Sequence, residues 1–177
     1  MRSTSRTRTF ATLALAAAAL TATVSAGAAQ AAAPAPVTPV TCTAANTELT
    51  VKKVSSPADH LLLKATNTGS KPCYAYNAPY LRFDEAQSAT AVDFDSVPQA
   101  VVTLEPGKSA YAGITTSSPT GTHRHKAHDL GVTFTNRAWT GAAGRSADLK
   151  LPGGGVYVDD SAQVTYWQAT RALALRW

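Results

Sequence analysis

From Cys42 onward, hydrophobic residues fall in short alternating runs, and no stretch of ten or more residues keeps a helical period. Such runs, bounded by Pro, Gly, Asn and Asp, predict strands and turns. Leu49, Val51 and Lys53 alternate with Thr50, Lys52 and Val54, an imperfect first strand closed by Ser55-Ser56-Pro57. From His60 to Asn67 the run Leu61-Leu62-Leu63 is too continuous for a strand with a wet face and predicts a central one, turned at Thr68-Gly69-Ser70. Tyr80 to Asp84 places Leu81 and Phe83 on one face and Tyr80 and Arg82 on the other, so Leu81 and Phe83 are expected in the core.

Further along, Val101 to Leu104 and Ser109 to Thr116 flank Glu105-Pro106-Gly107-Lys108, a turn sequence that predicts a hairpin. Leu130, Val132 and Phe134 alternate with Gly131, Thr133 and Thr135 in another half-buried strand. Gly153-Gly154-Gly155 precedes Val156-Tyr157-Val158, and a turn at Asp159-Asp160 leads to Val164-Thr165-Tyr166-Trp167. At the end, Leu173, Leu175 and Trp177 read as one side of a strand, with a short helix from near Gln168 as the alternative. About eight strands with this turn spacing predict an all-β sandwich rather than a closed barrel.

The first residues have a different grammar. Arg2, Arg6 and Arg8 come without an acid, an apolar run extends from Phe10 to Val24, and small residues surround Ala29-Gln30-Ala31. That is a secretory signal, expected to be cleaved near Ala31 and to leave an extracellular protein. The run is shorter than the ~20 residues of a membrane-spanning helix, and no membrane span is expected after signal removal. Residues 32–41, with Pro34, Pro36 and Pro39, read as a Pro/Ala-rich linker, and residues 42–177 as one domain. The formal charge of +5 shrinks with the signal, which takes three of the sixteen basic residues and none of the eleven acids. An excess of two, without a basic stripe interleaved with aromatics, makes no case for nucleic acid as partner.

Two cysteines in an exported chain imply a bridge, and only Cys42–Cys73 is available. A redox or metal role for the pair lacks close Cys-x-x-Cys spacing. Cys42, Thr66-Asn67-Thr68-Gly69-Ser70-Lys71-Pro72-Cys73, Pro79-Tyr80-Leu81-Arg82-Phe83 and Val102-Thr103-Leu104-Glu105-Pro106-Gly107-Lys108-Ser109-Ala110 together resemble the domain of unknown function 4232 family, found mainly in exported or lipid-anchored actinobacterial proteins. The resemblance runs from Cys42 to about Trp167. It implies an immunoglobulin-like β-sandwich with the Cys42–Cys73 bridge, and it implies no reaction and no catalytic residues.

Two candidate sites stand out. His123, His125 and His128 with Asp129 fall within nine residues from Gly121 to Asp129, and a His-x-His pair on extended chain offers two imidazoles to Zn²⁺ or Cu²⁺, with Asp129 as an oxygen ligand. Arg124 and Lys126 are interleaved with them and would repel a cation. Tyr74, Tyr76 and Tyr80 surround Asn77-Ala78-Pro79 beside the bridge and form a candidate binding surface. Asp84-Glu85, Asp93/Asp95 and Asp159-Asp160 read as turns and a solvated edge, with only Asp93 and Asp95 expected to share a strand face. With no nucleophile motif or cofactor fingerprint, the chain reads as a non-catalytic binding or envelope-associated module whose partner is a protein or envelope component; an exported metal-binding protein using the His123–Asp129 loop is the alternative.

Overall fold

The computed structural model describes residues 37–177; residues 1–31, expected to be a signal, and the first part of the expected 32–41 linker lie outside the described residues. In chain order the strands are β1 (Val40–Thr41), β2 (Thr47–Lys53), β3 (His60–Asn67), β4 (Cys73–Ala75), β5 (Tyr80–Phe83), β6 (Ala91–Asp93), β7 (Val102–Leu104), β8 (Ser109–Thr115), β9 (His125–Ala127), β10 (Asp129–Thr135), β11 (Ala142–Lys150), β12 (Val156–Val158) and β13 (Gln163–Thr165), followed by the short helix α1 (Arg171–Ala174). They form a five-stranded sheet, β2-β3-β8-β13-β6, two three-stranded sheets, β1-β4-β7 and β11-β10-β5, and the two-stranded β12-β9. Among the described residues no helix is long and apolar enough to cross a membrane.

The leucine run explains the central position of β3. Leu61 and Leu63 join one large apolar cluster with Ile114 and Val164 of the same sheet and with Leu81, Leu104, Val132 and Phe134 of the smaller sheets. The sheets therefore face each other across a single core, a sandwich-like arrangement. Leu62 points the other way and is covered with Val54 by Ala174 of α1. Opposite Leu62 in register stands Gly113, where a Cβ would sit 1.9 Å from the Ala174 carbonyl oxygen. The bare glycine thus admits the helix backbone onto the sheet. The terminal residues form this capped helix, with the Thr170 side chain accepting from Leu173 N, rather than the strand that the Leu173-Leu175-Trp177 alternation predicts.

A second expectation changes at the Pro106-Gly107 turn. The turn forms, with Lys108 N donating to Glu105 O at 2.9 Å, but its two strands do not pair. β7 pairs with β4, and β8 lies between β3 and β13. The chain therefore switches sheets at this corner instead of folding back as a hairpin. Asn67 holds the corner. Its side-chain Nδ2 donates to Leu104 O and Lys71 O, both at 2.8 Å, and its Oδ1 accepts from Gly69 N at 2.9 Å. Its backbone bonds Lys108 O and Gly107 N at 2.9 and 2.8 Å.

The bridge joins Cys42 and Cys73, both fully buried, across a sequence separation of 31. Among the described residues, regular structure begins two residues before Cys42: Val40 and Thr41, at the end of the segment read as a linker, pair in parallel with Cys73 and Tyr74. β11, absent from the hydrophobic pattern, is a mostly exposed strand paired only with β10. A register shift near Val132/Phe134 and the charges of Arg145, Asp148 and Lys150 blunt it as an edge.

Replacing both cysteines by alanine is expected to lower unfolding free energy by about 3–4 kcal/mol, the loop-entropy ceiling for this separation, read from guanidinium denaturation. Asn67→Ala, which strips partners from a buried carbonyl and the Gly69 amide, is expected to cost about 2–4 kcal/mol in the same assay.

Candidate functional site

β9 and its lead-in place the residues from His123 to Ala127 on two sides. His123 and His125 face a groove of about 460 Å³ whose apolar floor includes Phe83, Val158 and Ala162 and whose rim includes Asp159 and Asp160. Arg124 and Lys126 face a separate groove of about 270 Å³. Within β9 the two-residue period turns Lys126 away from His125, while His123, at φ 55°, and Arg124 lie in the lead-in to the strand.

The carboxylates at the histidine groove each accept three hydrogen bonds from the protein. Asp160 accepts from Thr122 N at 2.6 Å, from the Thr122 hydroxyl, and from His123 Nδ1 at 3.2 Å. Those bonds, the Thr122 hydroxyl foremost, pull its pKa down to about 2. Asp159 accepts from the Ser161 hydroxyl, Ser161 N and Ser118 N; the hydroxyl bond leads in holding its carboxyl below the usual range, against the opposing effect of burial. Thr116 O and Thr122 O in turn accept from Asp159 N and Asp160 N. The Asp159-Asp160 turn therefore latches the Ser118–His123 loop to the sheet.

The remaining residues of that group lie apart. Asp129 is taken up by an ion pair with Lys150 at 2.6 Å. His128 is exposed, and its backbone N–H and that of Asp129 both donate to Asp84 Oδ1. Burial opposes ionisation of Asp84, but these two amides outweigh it and the carboxyl is held below its usual range. His125 Nδ1 donates to His123 O at 3.1 Å. Among the described residues no three His, Cys, Asp or Glu side chains come together as a metal ion would need.

At another part of the sandwich, Tyr74 lies on β4 rather than on a turn, and its ring meets that of Tyr76 at 5.6 Å; Tyr80 sits on β5 and makes no ring contact with either. A second aromatic group was not visible as one in the sequence. Phe94, Trp139 and Tyr166 form a three-ring cluster with centroids 5.2 to 6.4 Å apart. Phe94 is 66% exposed. It sits on a single 3-10 turn, Phe94–Ser96, in which Asp95 N donates to Asp93 Oδ1, so Asp93 and Asp95 do not share a strand face. Ser96 fixes the turn: its hydroxyl donates to Asp93 O and accepts from Tyr166 N, and its carbonyl accepts from the buried Gln168 side chain. Trp139 is held at φ 55°, a strained region for a bulky residue. Asn136 fastens its loop through Oδ1 to Thr140 N, through its carbonyl to Trp139 N, and through its backbone N–H to Gly141 O. Asn77 Nδ2 ties that same Asn136 carbonyl to the tyrosine segment.

The model of a protein family described as Domain of unknown function (DUF4232) matches residues 42–168. The chain belongs to that family. No curated protein matches it. The DUF4232 match takes in both grooves and the three-ring cluster, and stops before α1. Within the domain, the signal that could have flagged Phe94 is slight: a lone aromatic between Asp93 and Asp95, in a stretch otherwise read as a charged edge.

The latch of the DUF4232 domain gives a pH expectation. Since the folded-state pKa of Asp160 lies below its ordinary 3.8, its contribution is complete above about pH 4 and is lost as pH falls through about 2. Asp160→Asn should lower the denaturation midpoint at neutral pH, and the gap between wild type and variant should close between about pH 4 and 2, measured by urea melts across that range.

Proposed function

We propose that this DUF4232 protein is an exported, non-catalytic recognition module that binds a component of the cell envelope through the Phe94–Trp139–Tyr166 end of the sandwich. The observation that carries this reading is the rigid presentation of an exposed aromatic. Phe94 and Trp139 belong to different connections, each pinned by side-chain and backbone hydrogen bonds, so the surface is ordered before any partner arrives. The rings touch one another, which leaves no slot between them; a partner lies flat on the exposed Phe94 face. The engagement of both carboxylates at the histidine groove in holding the Ser118–His123 loop supports the non-catalytic part of the reading. Export is supported by the arginine-led apolar N-terminal segment and by a buried disulfide of the kind kept in oxidising compartments.

Co-sedimentation of the purified mature chain with cell walls isolated from the producing organism tests the reading. Wild type is expected to pellet saturably, and Phe94→Ala to weaken binding by ~30-fold, as loss of a central aromatic anchor does, with an unchanged melting temperature. Absence of saturable pelleting, or wild-type pelleting by Phe94→Ala, would contradict it.

A further inference from the structure

The second groove beside β9 has a composition that neither the sequence reading nor the aromatic surface accounts for. Its lining brings together Lys53 from the end of β2 and Arg124 and Lys126 from β9 and its lead-in, with Asp59 as the one acid. Lys53, Arg124 and Lys126 enter neither of the two ion pairs formed among the described residues. The first 36 residues hold no acid, so nothing there neutralises them. Three cations against one carboxylate leave the groove at +2, as large as the whole excess of the chain after its signal.

The cations are also positioned. The Arg124 guanidinium lies over the Tyr157 ring, 4.9 Å from its centroid, which fixes the fork beside a ring that is 55% exposed. Lys126 is paired with Tyr157 across the β9–β12 ladder. Its stem lies on Gly155, where a Cβ would come 3.0 Å from Lys126 Cε and 2.6 Å from Ala127 O. A glycine at the end of the triple-glycine turn is what lets the lysine lie down into the groove. His60 is already engaged, its Nδ1 donating to Ala58 O at 2.6 Å and its Nε2 meeting the Thr115 hydroxyl at 3.0 Å. The free donors are therefore one planar fork, two ammonium groups and the Tyr157 hydroxyl.

We propose that this groove binds the phosphate group of an organic phosphate. A carboxylate has two oxygens for three cationic groups, whereas a phosphate monoester offers three terminal oxygens and a charge near −2 that matches the groove. The space of about 270 Å³ exceeds the phosphate and leaves room for the organic part beside Tyr157. This site is separate from the aromatic end and does not depend on its role.

Titration of the full mature chain with glucose 1-phosphate, followed by the amide NMR shifts of Lys126, Gly155 and Tyr157 at low salt, tests the proposal. Saturable shifts are expected, with none from glucose and none from sodium chloride at matched ionic strength. Lys126→Gln should weaken binding by about fivefold, and Asp59→Asn, which removes the opposing charge at a position of φ 52° that asparagine tolerates, should tighten it by about threefold. A variant that merely damages the fold cannot produce both signs. Lys108→Gln, on the Pro106-Gly107 corner, should change nothing. Dimethyl phosphate, with two terminal oxygens and a single charge, should bind more weakly than glucose 1-phosphate, and equal saturation by the two would overturn the assignment of a monoester. Shifts that fail to saturate, that sodium chloride or glucose reproduces, or that Lys126→Gln and Asp59→Asn leave unchanged would overturn the site.

Discussion

The buried amide of Asn67 is the constraint on which the rest of the sandwich depends. One side chain satisfies the end of β7, the turn before Cys73 and the Gly69 amide, while its backbone bonds the Gly107-Lys108 corner. Without that hub, two chain reversals meet in the interior with unpaired carbonyls and amides, each costing about 1–3 kcal/mol. With it, β7 can leave toward β4 while β8 enters beside β3. The disulfide reinforces the same region from outside the hydrogen-bond network, since Cys73 stands opposite Leu104 in register. Two of the chain segments that resemble the family, Asn67-Thr68-Gly69-Ser70 and Leu104-Glu105-Pro106-Gly107-Lys108, are thus the two halves of one joint.

Strand period accounts for the division of chemistry along β9. A stretch that mixes imidazoles and cations looks self-defeating as a site when read as a line of residues. Folded against β12, it becomes a wall with two different faces, imidazoles beside latched carboxylates on one side and cations beside an open groove on the other. The latch at Asp159-Asp160 commits its acids to holding a loop, and among the described residues no three His, Cys, Asp or Glu side chains gather there.

Much of the fold was legible because burial in a sheet leaves a pattern. β3 begins and ends where the leucine run predicts, Leu81 and Phe83 are in the core, and the bridge joins the two cysteines. What escaped was set by tertiary partners. β11 is polar because it is an exposed edge, so hydrophobic alternation could not announce it. The hairpin expectation followed a correct turn, but turn chemistry fixes a reversal and not the identity of the neighbouring strand. The candidate residues fared similarly: Tyr74 and Tyr76 meet while Tyr80 stands apart, and the cluster of Phe94, Trp139 and Tyr166 joins positions too far apart in sequence for any local motif.

The contact between Gly113 and the Ala174 carbonyl has a consequence at the level of descent. Gly113 lies inside the stretch matched by the family and α1 lies outside it, so an inherited position is tied to a terminal appendage. In a relative whose chain stops near the end of the matched stretch, nothing would press on the outer face of β8 there, and a side chain at that position would cost little. Glycine at 113 and a helix after the last strand should therefore be gained and lost together, with an apolar residue at 62 retained only where the helix is present to keep it dry.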